Sequence, residues 1–254
     1  MLDRVDINQL ATPTDISKLN FSHAALDEHA LALLGFQRTK QVSKNAREAW
    51  VNGDAAPMMN EVQERGDEIF TGALHEIYCE HLAMKNQLDA IGFKPKSVID
   101  IGCGQALPDL FLHHDFAPRF TLIDIEHTDH QYHAFHKDGS GYASLQGARD
   151  MLVENGVATT KVKTINPRKT PKRMSSVKGD MLVSFYSCGF HYPIDDYADL
   201  MLQTLNSGGV LVLDLRKRYL RRNAGELPRV LAAGEAHEIY EDARSYRMMI
   251  RGRP

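Results

Sequence analysis

A chain of 254 residues, 43% hydrophobic and 25% charged with a formal net charge of −3, has the make-up of a globular protein with one sizeable α/β core and an appendage. No apolar run approaches the roughly 20 residues that span a bilayer, and the N-terminal MLDRVDINQLATPTD lacks the basic-then-apolar order of a secretory signal. Cys79, Cys103 and Cys188 are odd in number and far apart, so neither a disulfide framework nor a zinc knuckle is expected, and the setting reads as reducing and cytoplasmic.

Residues 1–58 mix short helical patches with turn signals at Thr12-Pro13-Thr14-Asp15, Asn52-Gly53-Asp54 and Ala56-Pro57. From Met59 to Ile91 the apolar residues Val62, Ile69, Phe70, Leu74, Ile77, Tyr78, Leu82 and Leu88 recur at three- and four-residue spacing, which predicts a helix stopped by Gly92. Strand and helix patterns then alternate. Strands are expected at Ser97–Ile101, Phe120–Ile125, Lys161–Ile165, Met181–Tyr186 and Val210–Leu215. Helices are expected from Ala106, over Tyr142–Glu154 and over Asp195–Leu205. That alternation implies a parallel sheet with helices on both faces. Ala236–Glu241 and Ser245–Arg251 are joined by a short connection and read as an antiparallel hairpin at the sheet edge. A helix with loops is expected between Arg216 and Gly234. The expected fold is therefore α/β: a doubly wound, mostly parallel seven-stranded sheet with an antiparallel C-terminal hairpin, plus a helical N-terminal extension. The expected division is residues 1–92 as extension or lid and 93–254 as the ligand-binding domain.

The first strand ends in Asp100-Ile101-Gly102-Cys103-Gly104. Two glycines there let the backbone take strained dihedrals and approach a ligand closely. Twenty residues after Gly104, Asp124 ends the second strand, where an acid can accept both ribose hydroxyl hydrogens of an adenosine group. A dinucleotide fingerprint would need Gly or Ala at the position of Leu107, which disfavours an NAD-dependent oxidoreductase.

An acid two residues before the first glycine resembles the first motif of class I S-adenosylmethionine (SAM)-dependent methyltransferases, acid-x-Gly-x-Gly. The resemblance covers roughly residues 95–254, and the usual third glycine falls at Ala106. It implies SAM as cofactor, held by Asp100, Gly102, Cys103, Gly104 and Asp124, with Ile125 packing on the adenine and Asn166 at its edge. Ser184, Phe185 and Tyr186, ending the fourth strand, would line the methionine arm. Helical N-terminal extensions in this family form lids, so Trp50, Tyr78 and residues 52–59 are candidate lid contacts.

Beyond the fourth strand, Ser187 to Pro193 offers the best-placed polar groups. His191 is the candidate base, since its unperturbed pKa of about 6.5 suits proton removal near neutral pH. Ser187, Tyr192 and Arg216 are the candidate substrate contacts. The Asp/Asn-Pro-Pro-Tyr motif, the Pro-Cys nucleophile pair and the paired glutamates that the family uses for nucleic-acid amines, cytosine C5 and protein arginine are all absent. A small acceptor remains, read as a hydroxyl on a sugar-like or anionic metabolite. RNA methylation and a non-catalytic SAM-binding domain stand as alternatives. Residues 161–178 hold seven Lys or Arg and no acid, and Arg216–Arg222 adds five more, a pattern suited to an anionic acceptor or, in the alternative, RNA. His127, His130, His133 and His136 step around a helix by threes rather than along one face, so no metal site is expected there. The expected partner is a small molecule, without membrane insertion; homo-oligomer formation stays open.

Overall fold

The computed structural model describes residues 7, 10–38, 40–126 and 143–253. Four helices come first: α1 (Pro13–Ser17), α2 (Glu28–Gln37), α3 (Lys44–Val51) and α4 (Ala56–Ala90). The Asp27 and Ser43 side chains accept from the backbone N–H groups of Ala30 and Ala46, capping α2 and α3. α4 begins three residues earlier than its apolar pattern predicts, because Pro57 sits in the first turn, where a missing N–H costs nothing. Its helical path breaks at Arg65 (φ −149°, ψ 36°), whose guanidinium donates to the Gln41 carbonyl at 2.7 Å and to Glu61 at 2.8 Å.

From there the chain alternates through β1 (Ser97–Ile101), α5 (Leu107–Phe116), β2 (Arg119–Ile123), α6 (Leu145–Glu154), β3 (Val162–Ile165), β4 (Met181–Ser184) and α7 (Ala198–Asn206). It then continues through β5 (Val210–Arg216), α8 (Lys217–Arg222), α9 (Leu227–Ala232), β6 (Gly234–Glu241) and β7 (Ser245–Gly252). The seven strands form one sheet in the order β3-β2-β1-β4-β5-β7-β6. β1 to β5 are parallel; β7 runs antiparallel to both β5 and β6. The expected fold class is the observed one. Two strands are shorter than their apolar runs suggest: β2 stops at Ile123 and β4 at Ser184, because the residues that follow turn out of the ladder toward the site.

Successive strand residues point to opposite faces, and both faces are apolar. Val98, Phe120, Leu122, Val183 and Val212 pack toward α4, α5 and α6, while Ile99, Ile101, Ile123, Leu182 and Leu213 pack toward α7, α8 and α9. Each such side chain contributes about 1.5–3 kcal/mol by leaving water. The first of these cores continues without a break into α2, α3 and α4 through Leu34, Val42, Ala46, Ile69 and Ile77. The N-terminal helices are thus built onto the sheet by the same apolar contacts that cover it. Among the described residues no helix is long and apolar enough to cross a membrane.

Chain order reverses between β1 and β4: β2 and β3 extend to one side of β1, and β4 and β5 to the other. A crevice opens beyond the carboxyl ends of two such strands, where their outgoing connections diverge. Here those connections are the glycine turn and residues 185–193.

Candidate functional site

The glycine turn is shaped from both sides. Gly102 has φ +73° and donates its N–H to the Ile123 carbonyl at 2.7 Å, binding the turn to the end of β2. A Cβ on Gly102 would lie 1.8 Å from Ser187 Oγ, so only glycine allows the segment after β4 to press against the turn. Ala106, the non-glycine at the resemblance's third glycine position, is itself left-handed at φ +58° and stands just before α5. That conformation costs an L-residue about 1–2 kcal/mol.

Three acids surround this turn. Asp124 follows β2, and its two carboxylate oxygens accept from the backbone N–H groups of Gly104 at 3.1 Å and Glu126 at 2.9 Å. Burial nevertheless raises its pKa above the ordinary carboxylate range. Asp100, in β1, is buried beside Asp109 from the first turn of α5. Asp100 Oδ1 and both Asp109 oxygens find no donor among the described residues. Burial and mutual repulsion raise Asp100 well above its usual value, and burial pushes Asp109 up to about 7, so the pair shares a proton near neutral pH.

The segment after β4 forms the facing wall. Ser184 is fully buried; its hydroxyl donates to the Ile101 carbonyl at 2.8 Å and accepts from the Cys188 N–H at 2.9 Å, which fixes how the segment leaves the sheet. Tyr186 has φ +48°, and its N–H donates to Asp214 at 3.1 Å. Ser187 Oγ and the Tyr192 hydroxyl are 2.9 Å apart. His191 lies against the Phe190 ring edge-on, with ring centres 4.8 Å apart, and its backbone N–H donates to the Ser187 carbonyl at 2.8 Å.

An ion network that the sequence analysis missed closes the far side. Glu80, on the buried face of α4, receives both Nη groups of Arg38 (2.5 and 3.3 Å) and one Nη of Arg247 (3.2 Å). Arg247 also holds Asp214 and lies 4.3 Å from the Phe185 ring centre. The Tyr186 hydroxyl donates toward Glu80 at 3.5 Å and Asp242 at 3.2 Å. Despite burial, the two guanidinium groups keep the Glu80 carboxyl below the usual glutamate range. α2, α4, β5 and β7 are pinned together by these contacts. A signal was present in the sequence: Glu80 occupies a core-facing helix position, and Asp214 and Arg247 interrupt otherwise apolar strands. Gln105 was also missed; its amide donates to the Ala30 carbonyl at 2.6 Å, joining the glycine turn to α2.

These walls enclose a cavity of about 1280 Å³. Asp100, Gly102, Cys103, Gly104, Asp124, Phe185, Tyr186, Ser187, His191 and Tyr192 all line it. Ile125, Asn166, Ser184 and Arg216 do not. Asn166 is consumed in bonds to the Ile125 carbonyl, Glu126 and the Arg168 and Lys169 N–H groups, so it braces the β2 and β3 exits. Arg216 lies behind the lining, with its guanidinium 5.1 Å from the Phe190 ring centre. Of the candidate lid contacts, Asn52 reaches the cavity. Trp50 packs on His29 and Phe36, and Tyr78 stacks on Phe111, both away from the lining. Leu34, Phe36, Arg38, Arg47 and Glu48 of the N-terminal region line the cavity. His127, His130, His133 and His136 lie outside the described residues.

No family model and no curated protein matches the chain. Solved structures do align with it. A ribosomal protein L11 methylase from Lactobacillus delbrueckii subsp. bulgaricus is 16% identical at TM-score 0.47, covering 70% of this chain and 80% of that one. A putative O-methyltransferase from Klebsiella pneumoniae is 10% identical at TM-score 0.44, with 68% and 79% covered. A precorrin-6y C5,15-methyltransferase from Geobacter metallireducens GS-15 is 14% identical at TM-score 0.41, with 63% and 81% covered. The fold assignment rests on this chain's own strand order and pairing.

Proposed function

We propose that the protein is a SAM-dependent methyltransferase acting on a small acceptor, through a hydroxyl of a sugar-like or anionic metabolite. The observation that carries this reading is the joint placement of Asp100, Gly104 and Asp124 around one cavity at the strand-order reversal. A Cβ on Gly104 would meet nothing within 4 Å, so the turn leaves open space in front of it. The buried Asp100, whose Oδ1 has no donor among the described residues, suits an ammonium group, and Asp124, with each oxygen already accepting one N–H, keeps lone pairs for two hydroxyl hydrogens. Those features fit SAM. Single-ligand pockets typically run to about 1,000 Å³, so 1280 Å³ leaves room for an acceptor beside a cofactor.

When bound, SAM supplies a methyl group already activated on a sulfonium. What the chain must add is alignment and, for a hydroxyl acceptor, a proton acceptor. His191 serves as that base, taking the hydroxyl proton onto its imidazole. Tyr186, Phe190 and Tyr192 frame the acceptor with ring faces and edges, while the Ser187–Tyr192 pair gives it a hydroxyl contact. The ion network beneath, from Arg38 to Asp214, holds this wall in position.

The testing experiment is a methyl-transfer assay with labelled SAM against a panel of small hydroxyl compounds and their amine and carboxylate counterparts, with Asp124→Asn alongside. Label transfer to a hydroxyl compound that Asp124→Asn reduces supports the reading. Transfer confined to amines or carboxylates removes the role of His191 as hydroxyl base.

A further inference from the structure

Arg244 lines the cavity, and two further arginines, Arg216 and Arg218, stand close to it outside the lining. Arg216 ends β5, Arg218 follows in α8, and Arg244 stands in the turn between β6 and β7. The Arg216 N–H donates to the Gly189 carbonyl at 3.0 Å and the Lys217 N–H to the Arg244 carbonyl at 2.9 Å, which stitches β5, the segment after β4 and the hairpin turn into one rim. Partial burial first, and then the charges of Arg244 and Arg218, lower the Arg216 pKa from its ordinary value.

The neighbouring acids are already committed. Glu241 pairs with Lys217 at 2.5 Å, and Asp214 is taken by Arg247. Asp242 accepts from the Arg244 and Ser245 N–H groups and from the Ser245 hydroxyl. Among the described residues no carboxylate pairs with Arg216, Arg218 or Arg244. Across the mouth, Glu48 is matched by Lys44 at 3.5 Å, and the cavity-lining Lys40 and Arg47 have no acid partner among the described residues. A set of like charges this close is costly in a free protein and is repaid when an anion enters.

We infer that this rim is an anion subsite, in which Arg216 and Arg244 bind a phosphate group carried by the acceptor. The inference rests on the proposed methyl-transfer reading for the role of the subsite, though anion binding itself does not. Arg244 lines the cavity directly. Arg216 stands outside the lining with its guanidinium 5.1 Å from the ring centre of the cavity-lining Phe190, whose ring also contacts His191 and Tyr186 edge-on at 4.8 and 5.2 Å. A phosphate held there would leave the rest of the acceptor extending past Phe190 toward His191. Planar guanidinium forks match phosphate oxygens two at a time, and two or three unmatched cations suit the −1.5 to −2 charge that a phosphomonoester carries near pH 7. A small phosphorylated compound is favoured over RNA because the whole molecule carries −3 and so offers no long-range attraction to a polyanion.

The test uses the full chain and calorimetric titration with inorganic pyrophosphate and, separately, glucose 6-phosphate against glucose. Arg216→Gln/Arg244→Gln is compared with Arg221→Gln/Arg222→Gln, which removes the same charge from exposed positions farther along α8. The subsite predicts that the first double variant weakens both phosphate probes at least tenfold, while the second changes them less than twofold. SAM titrated into each variant reports on the cofactor site. Unchanged SAM affinity with lost phosphate binding supports the subsite, whereas absence of SAM binding in every form removes the methyl-transfer reading and leaves the anion result standing. Equal losses in both double variants, or none in the first, overturn the proposal. It is likewise overturned if a single-stranded RNA binds more tightly than either phosphate probe, with a salt slope of several phosphates at about 0.7 per contact.

Discussion

Arg247 donates to Asp214 through Nε and through one Nη, each at 2.7 Å, and both side chains are buried. That pair anchors the Glu80–Arg38 bridge, so in this part of the described residues the connection of guanidinium to carboxylate between the helical region and the sheet passes beside Phe185 and Tyr186. Removing one partner from a buried pair leaves the other charge uncompensated, typically at a cost of about 3–5 kcal/mol. Arg247→Met is therefore expected to lower the midpoint of thermal unfolding by on the order of 6–20 °C, at roughly 2–4 °C per kcal/mol for a chain of this size. A shift under 2 °C would show that the network contributes little.

Gly102 and Ser187 make a second pair whose fit can be read by mutation. Gly102→Ala places a methyl 1.8 Å from Ser187 Oγ in a backbone with φ +73°, so strain and overlap act together. The expected loss is about 2–5 kcal/mol from left-handed strain plus overpacking. Ser187→Gly introduced into that variant should recover the overlap part and leave the strain part. Chemical denaturation of the two variants measures both, and no recovery in the double variant would mean that the close approach is relieved in some other way.

The Asp100–Asp109 pair predicts a pH dependence. Its folded pKa is raised, with Asp109 at about 7, so the native state holds a proton that the unfolded chain, with aspartates near 3.9, has released. The stability it contributes is fully present below the unfolded value and is lost as pH rises through about 7. An ammonium group bound against Asp100 favours the ionised pair, so SAM binding should expel a proton and tighten as pH rises from 6 to 8. Titration in buffers of different ionisation enthalpy measures this directly. Proton uptake, or affinity independent of pH, would contradict it.

His191→Ala is expected to cut turnover about 10²–10⁴-fold, the usual contribution of a positioned base, while leaving SAM affinity within twofold. Turnover within a few-fold of the parent protein would remove His191 from the chemistry.

The sheet was legible because strand-sized apolar runs alternate with helix-sized patterns, and because Gly102, Gly104 and Asp124 lie close to a turn in sequence as well as in space. Local pattern could not show how the exits behave. Ser184 and Asn166 stand at strand ends where the resemblance implies ligand contact, yet Ser184 bonds the Ile101 carbonyl and the Cys188 N–H, and Asn166 bonds Glu126 and the backbone of Ile125 and Arg168. The ion network beside the cavity was hidden for a different reason. Glu80 meets Arg38 across 42 residues and Arg247 across 167, and no spacing rule reaches that far. What the sequence does hold is the anomaly of an acid on a core-facing helix position and of charges inside apolar strands. Buried ions of that kind need partners, and their partners mark where distant segments converge.

We propose that the cavity bordered by Asp100, Gly104 and Asp124 holds SAM. Calorimetric titration of the full chain with SAM, repeated with Asp124→Ala, tests it most directly. One-to-one binding that weakens about 10–100-fold in the variant is predicted, as expected for losing hydrogen bonds to a charged acceptor worth about 1.5–3 kcal/mol. No binding by the parent protein at near-millimolar SAM would contradict the claim.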